Sequence, residues 1–301
     1  MNILITGGTG LIGSRLTELL RQRGHRVSHL GRTRRDGEIP SYTWSIEQHQ
    51  IDPVAFVGID AIVHLAGAGI ADKPWTEKRK KEILESRTNS TRLLVEVLRK
   101  TSHNIKTVVT ASAIGYYGFE NREEVFTEDS EAGKDFLANV TLRWEREADA
   151  FDELGMRTVK IRIGIVLSRA GGALEEIARP VKYFVGAPLG SGDQFMSWIH
   201  LDDLCYIFIK AVEDGSMRGA YNGVSPYPLT NRALTKAISR VLGRPLLLPP
   251  IPSFVLRLLL GEMADLVIQG SKVSADKITR AGYEFKFPDI NKALQDLLQR
   301  D

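Results

Sequence analysis

Met1-Asn2-Ile3-Leu4-Ile5-Thr6-Gly7-Gly8-Thr9-Gly10-Leu11-Ile12-Gly13 is the stretch that decides the reading of this chain. Ile3 to Ile5 is an apolar run of buried-strand length, and Leu11, Leu16, Leu19 and Leu20 follow at helical spacing. Between them Gly7, Gly10 and Gly13 spell G-x-x-G-x-x-G. Glycines so placed allow a tight turn and let backbone N–H groups close on a pyrophosphate. The N-terminus of the helix adds its partial positive charge. Glycines also close ordinary turns, so the weight comes from the position, directly after a first strand and before a first helix. The segment from Gly7 through Thr9, Gly10, Leu11 and Ile12 to Gly13 therefore reads as a dinucleotide-binding turn.

The next element bears on which dinucleotide. Gly24-His25 breaks the helix, and Arg26 to Leu30 reads as a second strand. A site for NAD usually carries an acidic residue at the end of that strand, to take the ribose 2′-OH. Here the chain runs Leu30-Gly31-Arg32-Thr33-Arg34-Arg35, and Asp36 comes too late. A guanidinium offers a planar fork of donors matched to a 2′-phosphate. A solvated basic loop would give the same run; the reading adopted is NADP(H), with Arg32 as its phosphate partner.

Further along, Ala61 to Leu65, Lys106 to Thr110 and Thr158 to Ile163 read as strands, separated by helical patterns over Lys78 to Lys100 and around Leu142 to Leu154. Continuous apolar strands alternating with helices predict an α/β fold, a doubly wound parallel sheet of Rossmann type. After Gly164 the grammar changes to Gly- and Pro-rich segments. That change predicts a dinucleotide-binding domain over 1–167 with a return segment over 198–223, and a smaller C-terminal substrate lobe over 168–197 and 224–301.

Composition closes off other classes. The chain has 301 residues, 43% apolar and 26% charged, enough for a sizeable core and too apolar for disorder. Forty Lys and Arg against 37 Asp and Glu leave +3, which alone implies no nucleic-acid partner. The single Cys205 excludes an internal disulfide framework and a cysteine zinc cage. The six histidines lack metal-site helical spacing, so no metal is expected. Ile251 to Gly261 is apolar but interrupted by Arg257 and too short to span a bilayer, so no membrane partner is expected. With no charged leader and cleavage site, the expected setting is cytoplasmic.

Four stretches resemble the extended short-chain dehydrogenases/reductases: Gly7 to Gly13, Asp60-Ala61-Ile62-Val63-His64-Leu65-Ala66-Gly67, Thr91-x-Leu93-Leu94 and Trp198-Ile199-His200-Leu201-Asp202-Asp203-Leu204. The chain is similar to their atypical, epimerase-family (sugar-nucleotide-epimerase-like) branch through Ile70-Ala71-Asp72-Lys73-Pro74-Trp75, Gly115-Tyr116-Tyr117-Gly118, Arg143-Trp144-Glu145, Gly190-Ser191-Gly192 and Asn222-Gly223-Val224-Ser225-Pro226. The resemblance covers nearly the whole chain. It implies that Leu65, Ala66 and Gly67 line the cofactor, and that Arg87 stands where extended members often have asparagine. Arg87 could there reach the cofactor or a substrate acid, cap a helix, or pair with Glu85.

The family's hydride chemistry uses Tyr-x-x-x-Lys on one helix and a Ser or Thr after the preceding strand. The four-residue spacing stacks both side chains on one face, where the lysine lowers the tyrosine pKa. Matching Arg143-x-x-x-Glu147 to the family's Lys-x-x-x-Glu puts Asn139 in the tyrosine place and Arg143 in the lysine place. Asparagine does not titrate and arginine stays charged, so the usual relay is missing. The substitutes expected are Ser112 as a hydrogen-bond donor and Tyr116 or Tyr117 as the proton donor, though both aromatics could instead pack the lobe interface. His200 reads as a satisfied turn residue. Arg162 faces the cleft or pairs with Asp202 or Asp203, and Lys78-Arg79-Lys80-Lys81 reads as a solvated face. Gly190 to Ser197 lacks the arginine that many nucleotide-sugar members place there.

Two functions follow. One is an NADP(H)-dependent oxidoreductase or epimerase acting on a small carbonyl/hydroxyl or sugar-like substrate through a non-standard proton relay. The other is an NADPH-binding sensor with little or no catalysis. Either is expected as a monomer or homodimer.

Overall fold

The computed structural model describes residues 1–118 and 124–299. In chain order the first half contains β1 (Asn2–Thr6), α1 (Leu11–Gln22), β2 (Arg26–Gly31), β3 (Ser41–Ser45), β4 (Gln50–Ile51), β5 (Ala61–His64), α2 (Glu77–Lys100), β6 (Thr107–Ala113), β7 (Val125–Phe126), α3 (Phe136–Glu153) and β8 (Arg157–Ile163). The second half contains β9 (Ile165–Leu167), α4 (Ala173–Lys182), β10 (Phe195–Met196), β11 (Trp198–His200), α5 (Leu201–Glu213), β12 (Gly219–Gly223), β13 (Leu229–Thr230), α6 (Asn231–Leu242), α7 (Ser253–Leu260), α8 (Asp265–Ile268), β14 (Lys272–Val273), α9 (Asp276–Arg280) and α10 (Ile290–Gln299).

Eight strands form the central sheet in the order β12-β8-β6-β5-β1-β2-β3-β4, parallel except for the β3–β4 pair. The expected doubly wound architecture is therefore present. The chain works outward from β1 to β4, then crosses back to β5 and works outward in the opposite direction. That reversal opens a crevice between the C-terminal ends of β1 and β5, where such sheets receive ligands.

Alternation along the strands fills both faces of the sheet. Ile3 and Ile5 join Leu16, Leu20, Leu204 and Phe208 under α1 and α5. Leu4 points the other way, to Leu94, Val108, Ala148 and Phe151 under α2 and α3. A third cluster, with Leu174, Val181, Trp198, Leu234, Ile238 and Leu294, builds the lobe that carries α4, α6 and α10. The Tyr283-to-Phe287 segment is pinned to the sheet domain by Asp203, which is fully buried. Its carboxylate accepts from Tyr283 Oη (2.7 Å) and from the backbone N–H of Lys286 (2.8 Å) and Phe287 (2.9 Å). Among the described residues no helix is long and apolar enough to cross a membrane, and no group of three or more His, Cys, Asp or Glu is gathered to hold a metal.

Candidate functional site

The crevice begins at the glycine turn. Gly7 sits at φ +69°, and a Cβ there would lie 3.1 Å from the Leu65 carbonyl and the Ala66 nitrogen. Gly13 is more constrained still: a Cβ would come within 2.3 Å of Gly7 O and 2.7 Å of Gly8 Cα. Only glycine lets the first turn of α1 lie this close to the loop before it. Gly10 is the N-cap residue and supplies no side-chain cap, and the first turn of α1 has no acidic residue. The leading N–H groups of α1 are thus left for a ligand, and positive helix-end potential faces the crevice with no carboxylate against it. These features fit a dinucleotide pyrophosphate.

Leu65 and Ala66 are held opposite by a buried polar chain. Thr6 Oγ1 accepts the backbone N–H of Leu65 (3.1 Å) and of Ala66 (3.2 Å), so its own proton goes to His64 Nδ1 at 2.7 Å. His64 therefore carries its proton on Nε2 and donates it to Thr91 Oγ1 (3.1 Å), which donates in turn to the Arg87 carbonyl (2.8 Å). His64 is fully buried, and burial pushes its pKa down to about 3. The neutral ring ties the ends of β1 and β5 to α2, and so fixes the wall of the crevice.

Arg87 projects from α2 beside Gly67, where a Cβ would lie 3.2 Å from the guanidinium carbon. It donates to the Ile83 carbonyl (2.9 Å) and lies 5.3 Å from the centre of the Trp144 ring. Burial, with Arg79 nearby, lowers its pKa to about 10. Glu85 is not its partner; that carboxylate reaches Lys81. Arg87 is a cation at the crevice with no carboxylate paired to it among the described residues. Arg32 follows directly on β2; it is exposed and makes no hydrogen bond or ion pair among the described residues.

The predicted catalytic residues separate. Ser112, at the end of β6, is 2% exposed and donates to Glu145 Oε1 at 2.5 Å. Glu145 also takes a two-pronged contact from Arg162, Nε to Oε1 at 2.8 Å and Nη2 to Oε2 at 2.9 Å. Arg162 Nη1 donates to Tyr117 Oη (3.0 Å), and Tyr117 donates to Asn222 Oδ1 (2.7 Å). Tyr117 is 1% exposed, and its pKa is pushed up to about 12, chiefly by burial. Ser112 and Tyr117, expected among the reacting groups, thus belong to a buried internal network. Their hydroxyl protons go to Glu145 and Asn222.

Tyr116 differs. It shares the 3₁₀ turn Ile114–Tyr117 but is only half-buried, its ring lies 3.5 Å from the Arg162 guanidinium carbon, and its hydroxyl has no partner among the described residues. Burial works to lower the Arg162 pKa, but Glu145 outweighs it and holds that cation above its ordinary value.

Arg143, expected in the lysine place, stands apart from this network. The face of α3 turned to the Ile114–Tyr117 turn is Leu137–Thr141–Glu145, and a Cβ on Gly115 would meet Leu137 at 3.4 Å and Thr141 at 3.7 Å. Asn139 and Arg143 lie off that stripe and are exposed, and Glu147, used to place them, instead pairs with Arg92 on α2. A carboxylate at i+4 and i+8 from buried positions is itself the signal that was missed. Glu145 on the buried stripe, and Arg162 inside a buried strand, each require an opposite charge. Arg162 meets neither Asp202, which pairs with Arg15, nor Asp203. Nor is Lys78–Lys81 wholly solvated: Arg79 is buried against the Gly69 carbonyl and Glu82. His200 caps α5 as expected, Nδ1 accepting from the Asp202 N–H (3.1 Å), with its ring stacked on Phe287.

Residues 3–140 match the model of the NAD dependent epimerase/dehydratase family, and residues 251–297 match a domain of unknown function, DUF1731. Epimerase family protein YfhF of Bacillus subtilis is 37% identical over 301 residues, covering 99% of this chain and 98% of that protein. The chain belongs to the NAD-dependent epimerase/dehydratase family. Within it, epimerase family protein SDR39U1 of Mus musculus is 36% identical over 302 residues, 99% of this chain and 100% of that one. A crystal structure of human epimerase family protein SDR39U1 (isoform 2) with NADPH superposes with a TM-score of 0.89 at 34% identity, covering 99% of each chain. The epimerase-family assignment thus extends over both the sheet and the smaller lobe.

Proposed function

We propose that this protein binds NADP(H) and reduces, oxidises or epimerises a small carbonyl/hydroxyl or sugar-like substrate in a cytoplasmic setting. The observation that carries the cofactor choice is Arg32, a guanidinium directly after β2 with no ion-pair partner among the described residues, and an α1 N-terminus that has neither side-chain cap nor acidic residue in its first turn. The human relative's structure with NADPH supports the same choice. Gly7, Gly10, Gly13 and the first N–H groups of α1 would hold the pyrophosphate, Leu65 to Gly67 and Arg87 the neighbouring wall, and Arg32 the 2′-phosphate. When bound, the nicotinamide would supply a hydride for reduction, accept one for oxidation, or accept and return it for epimerisation. Tyr116, whose hydroxyl has no partner among the described residues, would pass a proton to or from the substrate oxygen. Arg162 lies against its ring and stays charged throughout, so it would orient Tyr116 without exchanging a proton.

A second reading, a dinucleotide-binding sensor without turnover, is favoured by the burial of Ser112 and Tyr117 and by the displacement of Asn139 and Arg143 from the inner face of α3. Calorimetric titration with NADPH, NADP+, NADH and NAD+ tests the cofactor assignment. Arg32→Ala should weaken NADPH by about one to two decades, the worth of ~1.5–3 kcal/mol for a charge-assisted contact, and leave NADH nearly unchanged. Equal weakening of both would remove Arg32 from the site. Tight NADPH binding with no oxidation of the cofactor by any carbonyl or sugar panel would favour the sensor.

A further inference from the structure

The cofactor turn holds a fourth glycine that the G-x-x-G-x-x-G spacing does not ask for. Gly8 has no positive φ; what forbids a side chain there is His29. A Cβ on Gly8 would lie 2.5 Å from Nε2 and 2.7 Å from Cγ of that ring. The half-buried imidazole of β2 therefore packs directly against the turn.

Its tautomer follows from its partner on α1. Thr17 Oγ1 donates to the Gly13 carbonyl at 2.7 Å, so at 2.8 Å it accepts from His29 Nε2. The neutral ring then carries its lone pair on Nδ1. That atom has no hydrogen-bond partner among the described residues and is not sealed from solvent.

The strand places this open nitrogen close to the arginine loop. Side chains two apart share a face, so His29 and Gly31 point the same way at the end of β2, one residue before Arg32. The loop that follows folds back beside the ring. Ser41 is the register partner of His29 on β3, the His29 N–H donates to the Pro40 carbonyl (2.8 Å), and the Arg35 N–H donates to Ser41 Oγ (3.2 Å). Arg32, Arg34 and Arg35 are exposed and make no ion pair among the described residues.

No carboxylate offsets these cations at the ring. On α1, Glu18 pairs with Arg15, and Arg21 takes Glu38 from the loop; Asp36 stands exposed among the arginines, and the neighbouring Ile5 on β1 carries no charge. Burial, and after it the Arg35 cation, hold the His29 pKa below the ordinary histidine value. A phosphate dianion on this loop would reverse the balance, because it neutralises the arginines that oppose a second proton on the ring.

Resting on the NADP(H) assignment of Arg32, we propose that His29 is a protonation-linked member of the 2′-phosphate subsite. It takes up a proton at Nδ1 when NADP(H) binds, so the preference for NADP(H) over NAD(H) rises as pH falls. Nε2–H stays on Thr17 and keeps the ring against Gly8. His29 acts through the charge of the loop, as a positioning and specificity residue.

Calorimetric titration of the full chain with NADPH and NADH between about pH 8 and pH 6.5 tests this. The ratio of the two affinities should rise about threefold to tenfold across that range. NADPH, and not NADH, should bind with proton uptake, read from the dependence of the heat on the ionisation enthalpy of the buffer. His29→Gln retains an N–H for Thr17 but does not titrate, so its affinity ratio should stay flat, or fall as the 2′-phosphate itself protonates at about pH 6. Histidine NMR resonances of the wild-type protein should show one ring titrating at higher pH with NADPH than with NADH. Equal affinity for NADPH and NADH at every pH overturns the NADP(H) assignment and the role of His29 together. An NADPH preference that Arg32→Ala removes, but that is constant with pH or changes equally in His29→Gln, leaves that assignment standing and overturns the role of His29 alone.

Discussion

Replacing Glu145 by alanine puts the internal network to a quantitative test. Glu145 and Arg162 are 5% and 4% exposed, and the carboxylate takes both Nε and Nη2 of the guanidinium as well as the Ser112 hydroxyl. Glu145→Ala leaves a buried guanidinium without a counter-charge, held near Tyr117 and the Glu128 carbonyl and unable to lose its proton. Breaking a buried pair from one side costs ~3–5 kcal/mol, most of it the penalty for the stranded charge. At roughly 2 °C per kcal/mol for a chain this long, the melting temperature should fall by about 6–10 °C. Urea denaturation of cofactor-free protein measures the loss directly. Glu145→Leu combined with Arg162→Met removes both charges and should recover most of it, giving a coupling of about 2 kcal/mol or more in the cycle. Ser112→Ala should cost only ~1 kcal/mol, because Glu145 keeps Arg162. A Glu145→Ala variant that loses under about 1 kcal/mol would show that water reaches the guanidinium and that Ser112 and Tyr117 are not sealed from the crevice.

The neighbouring tyrosines should part company. Tyr117→Phe deprives Asn222 of its donor and Arg162 of an acceptor, so it should cost ~1–3 kcal/mol in denaturation while any turnover survives. Tyr116→Phe should leave stability within about 0.5 kcal/mol and abolish turnover at unchanged NADPH affinity; retained turnover would exclude Tyr116 as the proton donor. Acid should weaken the fold earlier than carboxylates alone would cause. His64 is held neutral with a folded pKa of about 3, and burial also lowers His29 and His200. Unfolding lets each take up a proton once pH drops below the ordinary histidine value near 6.5, so stability is lost as pH falls through that value, at up to about 1.4 kcal/mol per unit per histidine. For His64 that loss continues toward pH 3, and urea midpoints that stay flat between pH 7 and 5 would contradict the buried, neutral ring.

How much of this was legible in the sequence depends on how far apart the deciding residues lie. The glycine turn is local: strand, turn and helix are adjacent, and each glycine is explained by a neighbour within the motif or by the end of β5. The place of Arg32, directly after β2, can be counted from that turn. His64 stood in plain view within an apolar strand, but its role depends on Thr6 and Thr91, 58 and 27 positions away, and no local pattern carries that pairing. The inner face of α3 is of another kind, because its period is local. Helical period places Leu137, Thr141 and Glu145 on one face and sets Asn139 and Arg143 apart from it. Anchoring the helix on Glu147 by family spacing overrode that stripe, although Glu147 answers to Arg92.

Tyr116 and Tyr117 were not separable beforehand, since a single 3₁₀ turn has no period long enough to say which ring goes inward. Burial decides it, and with it the chemistry open to the site. Tyr117 is sealed between Asn222 and Arg162, and Tyr116, against the same guanidinium, has no hydrogen bond to a lysine among the described residues. On the proposed enzymatic reading, proton transfer would rest on Tyr116 and solvent, or on the substrate's own groups. Activity should therefore be sought first with substrates whose carbonyl is already polarised.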